Sequence, residues 1–205
     1  MGLLAVEEAR RVEEAVAAAE ARTAGEIVVV VRPRSEGYEG ARALLAGLWT
    51  LMAAAAAAAY LPWHVDPVWL VLAQLPALAL AWSLAGWAPL LRTALPPGRA
   101  ARAVHARALA AFAEHGVHRT RDRCGLLIFV SELERRVEIL ADEAIHQRVG
   151  ASGWAQQVEQ LVAAVRAGRP GDGLVAVIEQ IGTILAEHFP RRADDTNELP
   201  DAPRQ

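Results

Sequence analysis

The chain has 205 residues, a hydrophobic share of 54% and a formal net charge of −3. That length gives room for about one domain of ordinary size, and the mildly acidic balance excludes the basic field by which nucleic-acid binders hold phosphate, so no nucleic-acid partner is expected. Cys124 is the only cysteine, which excludes an internal disulfide and a cysteine-built metal cluster.

From Leu3 to Arg22, apolar residues recur at Ala5, Ala9, Val12, Val16 and Ala19 with spacing 4-3-4-3, which predicts an amphipathic helix. Glu7 and Arg11 stand at i,i+4 for an ion pair, and Gly25 offers a left-handed cap at the helix end. The β-branched run from Glu26 to Pro33 predicts a strand covered on both faces.

Between Ala43 and Leu91 the chain carries one acid, Asp66, one histidine, His64, and no Lys or Arg. Ala43–Leu61 has nineteen uncharged residues and Pro67–Leu91 twenty-five. As helix, nineteen residues rise about 28 Å, close to the hydrocarbon thickness of a bilayer. Each stretch reads as a membrane span, and the short link Pro62–Asp66 makes them an antiparallel hairpin. A pair of buried core helices is the rival reading, but neither stretch has a polar face. Five of the six tryptophans also lie here: Trp63 and Trp69 with Tyr60 mark one membrane interface and Trp87 the other. Pro76 is expected to kink or loosen the second span. Arg42 precedes the hairpin and Arg92 follows it, while the link has no basic residue. The positive-inside rule then puts both termini in the cytoplasm, on the inner face of a cytoplasmic membrane. Met1–Glu20 lacks an apolar h-region, so no secretory signal is expected.

After the hairpin, a helix is expected from about Gly98 to His115, stopped by Gly116. Two strands follow, Gly125–Ser131 and Arg136–Ala141, joined by a polar turn through Glu132, Leu133 and Glu134; the first reads as central, the alternating second as nearer an edge. Asp142–Arg148 is a short helical turn. Ser152 is placed to cap a helix holding Trp154, Leu161 and Val165, and Asp172 to cap a last helix that runs to Pro190. The acidic tail from Arg191 to Gln205 has little to bury and is expected to be extended or disordered. The organisation is a domain in two pieces, 1–40 and 95–190, around a hairpin at 41–94, with a tail at 191–205. Its class is α/β, with a small mixed sheet layered by helices.

The stretches "ARTAGEIVVVV", "RCGLLIFVSELERRVEILAD", "GWAQQVEQLVAAVRAGRPGDGLVAVIEQIGTILAEHFP" and "NELPD" resemble the TPM domain family, in particular the subgroup with two membrane helices inside the domain. The resemblance implies an α/β/α sandwich. Some relatives in photosynthetic organisms are linked to photosystem repair, some are weak acid phosphatases, some bind calcium at acidic loops, and others accompany membrane complexes as accessory factors. By that analogy a photosynthetic complex is one candidate partner, and calcium or magnesium the candidate cofactors. The family name predicts a fold better than a reaction.

Asp142 follows a strand at its carboxyl end, where open α/β sheets place ligands, and matches the family's strand-ending aspartate. It reads either as a metal or phosphate-site residue or as the cap of the next helix. His146 stands at i,i+4 from it. Glu26 and Asp122 are the further candidate oxygen ligands for a divalent cation, which needs six or more oxygens. Arg119, Arg121 and Arg123 offer an anion cradle or a contact to lipid headgroups. Gly168–Gly173 lacks the lysine of a phosphate loop, and His115 and His118 lack the partners of a zinc site. The leading expectation is a non-catalytic accessory, assembly or stability subunit of an integral-membrane complex, held in the lipid bilayer by its hairpin. The alternative is a weak divalent-metal acid phosphatase using Asp142.

Overall fold

The computed structural model describes residues 4–60, 66–120, 122–191 and 198–204. It divides into two units, the first made of Met1–Ser35 with Ala101–Gln205 and the second of Glu36–Ala100. Among the described residues the first unit holds the whole sheet: β1 (Glu26–Arg32), β2 (Gly125–Ser131) and β3 (Arg136–Ala141), in the order β1-β2-β3. β1 runs parallel to β2, from Glu26 opposite Gly125 to Arg32 opposite Ser131, and β3 runs antiparallel, with Leu126 opposite Ala141 and Ser131 opposite Arg136.

The strands form where β-branched and large aliphatic side chains can be buried on two faces. Ile27, Val29, Val31, Leu126, Ile128 and Val130 point into one core and Val28, Val30, Leu127 and Phe129 into another, following the two-residue period of a strand. The first core is closed by α1 (Val6–Glu20) through Val12, Val16 and Ala19. It is completed by Leu161 and Val165 of α7 (Ala155–Arg166) and by the apolar stripe of α8 (Pro170–His188), which includes Leu174, Ile178, Ile181 and Leu185. The second core is closed by Val104, Ala108 and Ala111 of α5 (Pro97–Glu114), most of which belongs to this unit. Helices therefore cover both faces of a small mixed sheet. α5 ends at Gly116, whose φ of 68° is the left-handed conformation a glycine adopts without penalty. At Gly125 a side chain would collide with the carbonyl of Val117 at 2.1 Å, so a glycine is what lets β2 start against that turn.

Several local expectations are corrected. Gly25 does not cap α1, which closes on Ala21 in right-handed geometry, because Gly25 leads directly into β1 and packs near Leu185. Arg11 pairs with Asp172 of α8 at 2.9 Å rather than with Glu7, and Glu7 pairs with Arg10. Asp172 lies inside the first turn of α8, where its charge suits the helix dipole; the cap is Arg169, because Pro170 pre-sets the first helical position. Ser152 lies within a 3-10 turn, Ala151–Trp154, and α7 is capped by Trp154. Of the two alternatives for the tail, residues 198–204 take the extended one and dock on the sheet.

In the second unit, α2 (Glu39–Tyr60) and α3 (Pro67–Ala85) lie side by side and antiparallel, with Ala46 packed among Ala81 and Ala85. The spans expected at Ala43–Leu61 and Pro67–Leu91 are adjusted: the first helix starts at Glu39, and the second ends at Ala85 with its cap on Gly86. A separate short helix, α4 (Ala88–Ala94), follows, begun by Trp87 and Pro89. α3 continues through Pro76. Both α2 and α3 are long and apolar enough to cross a membrane by length and composition, and in each candidate span 11% of the residues are buried.

Candidate functional site

Because β3 is antiparallel to its neighbours, its carboxyl end coincides with the amino ends of β1 and β2. Glu26, Gly125 and Asp142 therefore share one end of the sheet, and Asp142 ties itself there by donating its N–H to the Gly125 carbonyl at 2.8 Å. The α/β rule that singled out Asp142 assumes parallel strands that all finish on one side. In this mixed sheet the same end gathers strand starts as well.

Asp142 is buried and caps the short helix α6 (Glu143–Val149), its Oδ1 accepting the Glu143 N–H at 2.7 Å. Its Oδ2 faces Arg123 Nε at 3.4 Å. Arg123 itself holds a φ of 56°, uncommon for a residue with a side chain. From that backbone it donates to the His118 carbonyl at 3.2 Å and accepts the Ala144 N–H at 3.3 Å. Arg123 thus clamps the turn before β2 to the turn after β3. The cradle expected from Arg119, Arg121 and Arg123 is not assembled around Arg123, which is spent on this clamp; Arg121 lies outside the described residues.

Glu26, also buried, receives the backbone N–H groups of Glu198 and Leu199 at 3.1 and 3.2 Å, one on each carboxylate oxygen. Beside it, Glu20 at the end of α1 accepts the Ile27 N–H at 2.7 Å. Burial pushes the Glu20 carboxyl up to about 9, and the neighbouring Glu26 and Asp201 add to that rise. A carboxyl in that state is a neutral acid at pH 7. Glu20, Glu26 and Asp201 line a hollow of about 170 Å³ together with Thr23 and Arg191.

A second hollow of about 320 Å³ lies in the same unit, lined by Asp122, Cys124, Arg148, His188, Phe189 and Arg191 among others. Arg148 sits over the Phe189 ring at 4.6 Å and donates to the His188 carbonyl. Asp122 is exposed, whereas Cys124 is buried as the entry residue of β2.

The candidate cation ligands Asp142, Glu26 and Asp122 are thus near one sheet end without forming a ligand set. Asp142 and Glu26 belong to the two outer strands, about 10 Å apart by sheet spacing, and both oxygens of Glu26 are taken by backbone donors. Among the described residues no group of three or more His, Cys, Asp or Glu side chains is placed to hold a metal ion. Glu20 and Asp201 are what the sequence reading missed. Glu20 was legible in principle, since it continues the buried side of α1 four residues after Val16.

In the second unit, Tyr60 closes α2 and is exposed, Trp69 stands exposed in the first turn of α3, and Trp87 is exposed at the start of α4. Trp63 lies outside the described residues. Arg42 sits near the start of α2, with its guanidinium 4.9 Å from the Trp82 ring and donating to the Trp82 carbonyl at 3.3 Å. Arg92 lies in the last turn of α4.

Residues 96–184 match the family model described as the TPM domain, a segment that covers α5 to most of α8 and leaves out α1, β1 and the hairpin. No curated protein matches the chain. Among solved structures, the NMR structure of the BA42 protein from the psychrophilic bacterium Bizionia argentinensis is similar in fold. Its TM-score is 0.61 at 22% identity, covering 98% of this chain and 94% of that one. The match over α5 to α8 makes this part of the chain similar to the TPM domain family.

Proposed function

We propose that this chain is a membrane-anchored TPM module, an α/β/α sandwich interrupted by a transmembrane hairpin, that serves as an accessory, assembly or stability subunit of an integral-membrane complex. The observation that carries the reading is the surface of α2 and α3. Leu44, Leu51, Trp69, Val71, Leu75 and Leu80 are each more than 60% exposed, an arrangement that water penalises and lipid does not. α2 has 22 residues and so rises about 33 Å, enough to cross the hydrocarbon layer. Tyr60 and Trp69 at one end of the hairpin, and Trp87, Arg42 and Arg92 towards the other, suit headgroup anchoring. The absence of Lys and Arg from the link supports both termini on the cytoplasmic side of an inner membrane, in the manner of the two-helix subgroup. A hairpin of this kind adds no chemistry, and the buried acids of the first unit are occupied by backbone donors and by Arg123, as suits an assembly role. The test is purification of the tagged full chain in mild detergent, followed by native size separation and mass spectrometry. Migration with an integral-membrane protein in fixed proportion is expected; a free monomer throughout native extraction overturns the proposal.

A further inference from the structure

β1 is bonded to β2 along one edge, and its other edge is met by the end of the chain. The Val31 N–H donates to the Arg204 carbonyl at 2.8 Å and the Arg204 N–H to the Val29 carbonyl at 2.9 Å, a parallel bridge centred on Val30. Upstream, the Glu198 and Leu199 N–H groups are held by Glu26, and Leu199 packs against the core beneath α5. Asp201 approaches Glu20 on one side, and the Arg204 guanidinium meets Nδ1 of His115 at the end of α5. We infer that Glu198–Arg204 is a detachable strap that seals the outer edge of β1 and the Glu20–Glu26 hollow, held at its start by Glu26, along its length by Asp201 beside Glu20, and at its end by Arg204 on His115.

The latch follows from donor and acceptor counting. Arg204 has only donors, so His115 must offer Nδ1 as an acceptor; a protonated imidazole has no acceptor left and repels the guanidinium. The groups facing His115 are Arg204 from the strap, Arg32 from β1, and Glu114 and Arg107 from α5 itself. Burial first, then Arg204, holds His115 below its usual 6.5, with Glu114 pulling the other way. Its contribution to docking is therefore fully present above 6.5 and lost as pH falls through the lowered value. The change is about tenfold in the docking constant for each unit of separation. Glu20 faces Glu26 from β1 and Asp201 from the strap, and its raised value reverses the sign. Its contribution is present at acid pH and lost as pH rises from 4.5 to about 9, where an ionised Glu20 confronts two carboxylates. The two contributions offset each other between the lowered His115 value and 6.5, and above 6.5 only the Glu20 loss remains, so the strap loosens as pH rises towards 9; its departure exposes a strand edge open to pairing with an extended segment.

Hydrogen exchange of the full chain in detergent micelles, read as protection factors from pH 5 to 9, tests this. In the wild type, protection of the Val31 and Leu199 amides should change little where the two contributions offset each other below pH 6.5 and fall at least several-fold from 6.5 to 9, while β2 amides stay protected. His115→Gln, which keeps a neutral acceptor, should extend the alkaline fall below pH 6.5, and Glu20→Gln, an isostere of the protonated acid, should abolish that fall and leave only a loss on acidification below 6.5. Equal protection of Val31 and Leu199 across the range overturns the inference, as do retention of the alkaline fall in Glu20→Gln and loss of β2 protection in step with the strap.

Discussion

The two units solve opposite solvation problems with similar residues. In the first, β1 and β2 bury nearly every side chain, and helices on both sides leave mainly charged and polar groups outside. In the second, α2 and α3 touch through small residues such as Ala46, Ala81 and Ala85 and leave Leu, Val and Trp on the outside. Burial of apolar area drives the core of the first unit; in the proposed membrane setting of the second, lipid is as apolar as leucine, and helices there associate through close packing of small side chains. One sequence can hold both because the apolar residues follow a strand period in one region and form an unbroken run in the other.

The comparison is broken most severely at the centre of the sheet. Phe129→Ala, at a fully buried position, should destabilise the first unit by about 3–5 kcal/mol. Denaturant unfolding should show that loss while the circular dichroism of α2 and α3 persists in detergent; simultaneous loss of both means the units are not separable. Next in size is Leu75→Arg, at the middle of an exposed apolar face. A charge at mid-span costs about 3 kcal/mol of insertion, so membrane fractionation should show depleted chain. Leu109→Arg, at a half-exposed position of α5, should leave the distribution unchanged. Asp142→Ala removes a helix cap and should cost roughly 0.5–2 kcal/mol, with Asp142→Asn largely retaining the cap. Thermal melts of the two variants check that order, and equal losses point to the carboxylate charge instead. Smallest of all, calcium or magnesium should leave the melting temperature where it is, since a ligand of the native state raises it; a rise with either ion means a cation site has been overlooked.

How much of this the sequence discloses depends on what kind of interaction forms each part. β2 and β3 were legible to the residue, Gly125–Ser131 and Arg136–Ala141, because continuous and alternating apolar patterns are written in side chains. The stop at Gly116 and the capping role of Asp142 were legible for the same reason. The end of α3 at Ala85 was not, since hydropathy runs on through the Gly86–Pro89 break. Least visible was the docked tail. Its grip on Val29, Val31 and Glu26 uses backbone groups that every residue carries, so an acidic tail with a single leucine reads as extended or disordered, with no sign of where it docks. At the sheet end, Asp142 and Glu26 were found as acids, but Arg123 and the Glu198 and Leu199 N–H groups that meet them were not, because pattern names a carboxylate without naming what it bonds.

The central claim, that lipid is the solvent of α2 and α3, is tested most directly by washing membranes that contain the full chain with alkaline carbonate and following the chain between pellet and supernatant. Retention in the pellet, with release only by detergent, is the predicted result. Quantitative release into the carbonate supernatant, or a chain that stays dissolved without detergent from the outset, contradicts it.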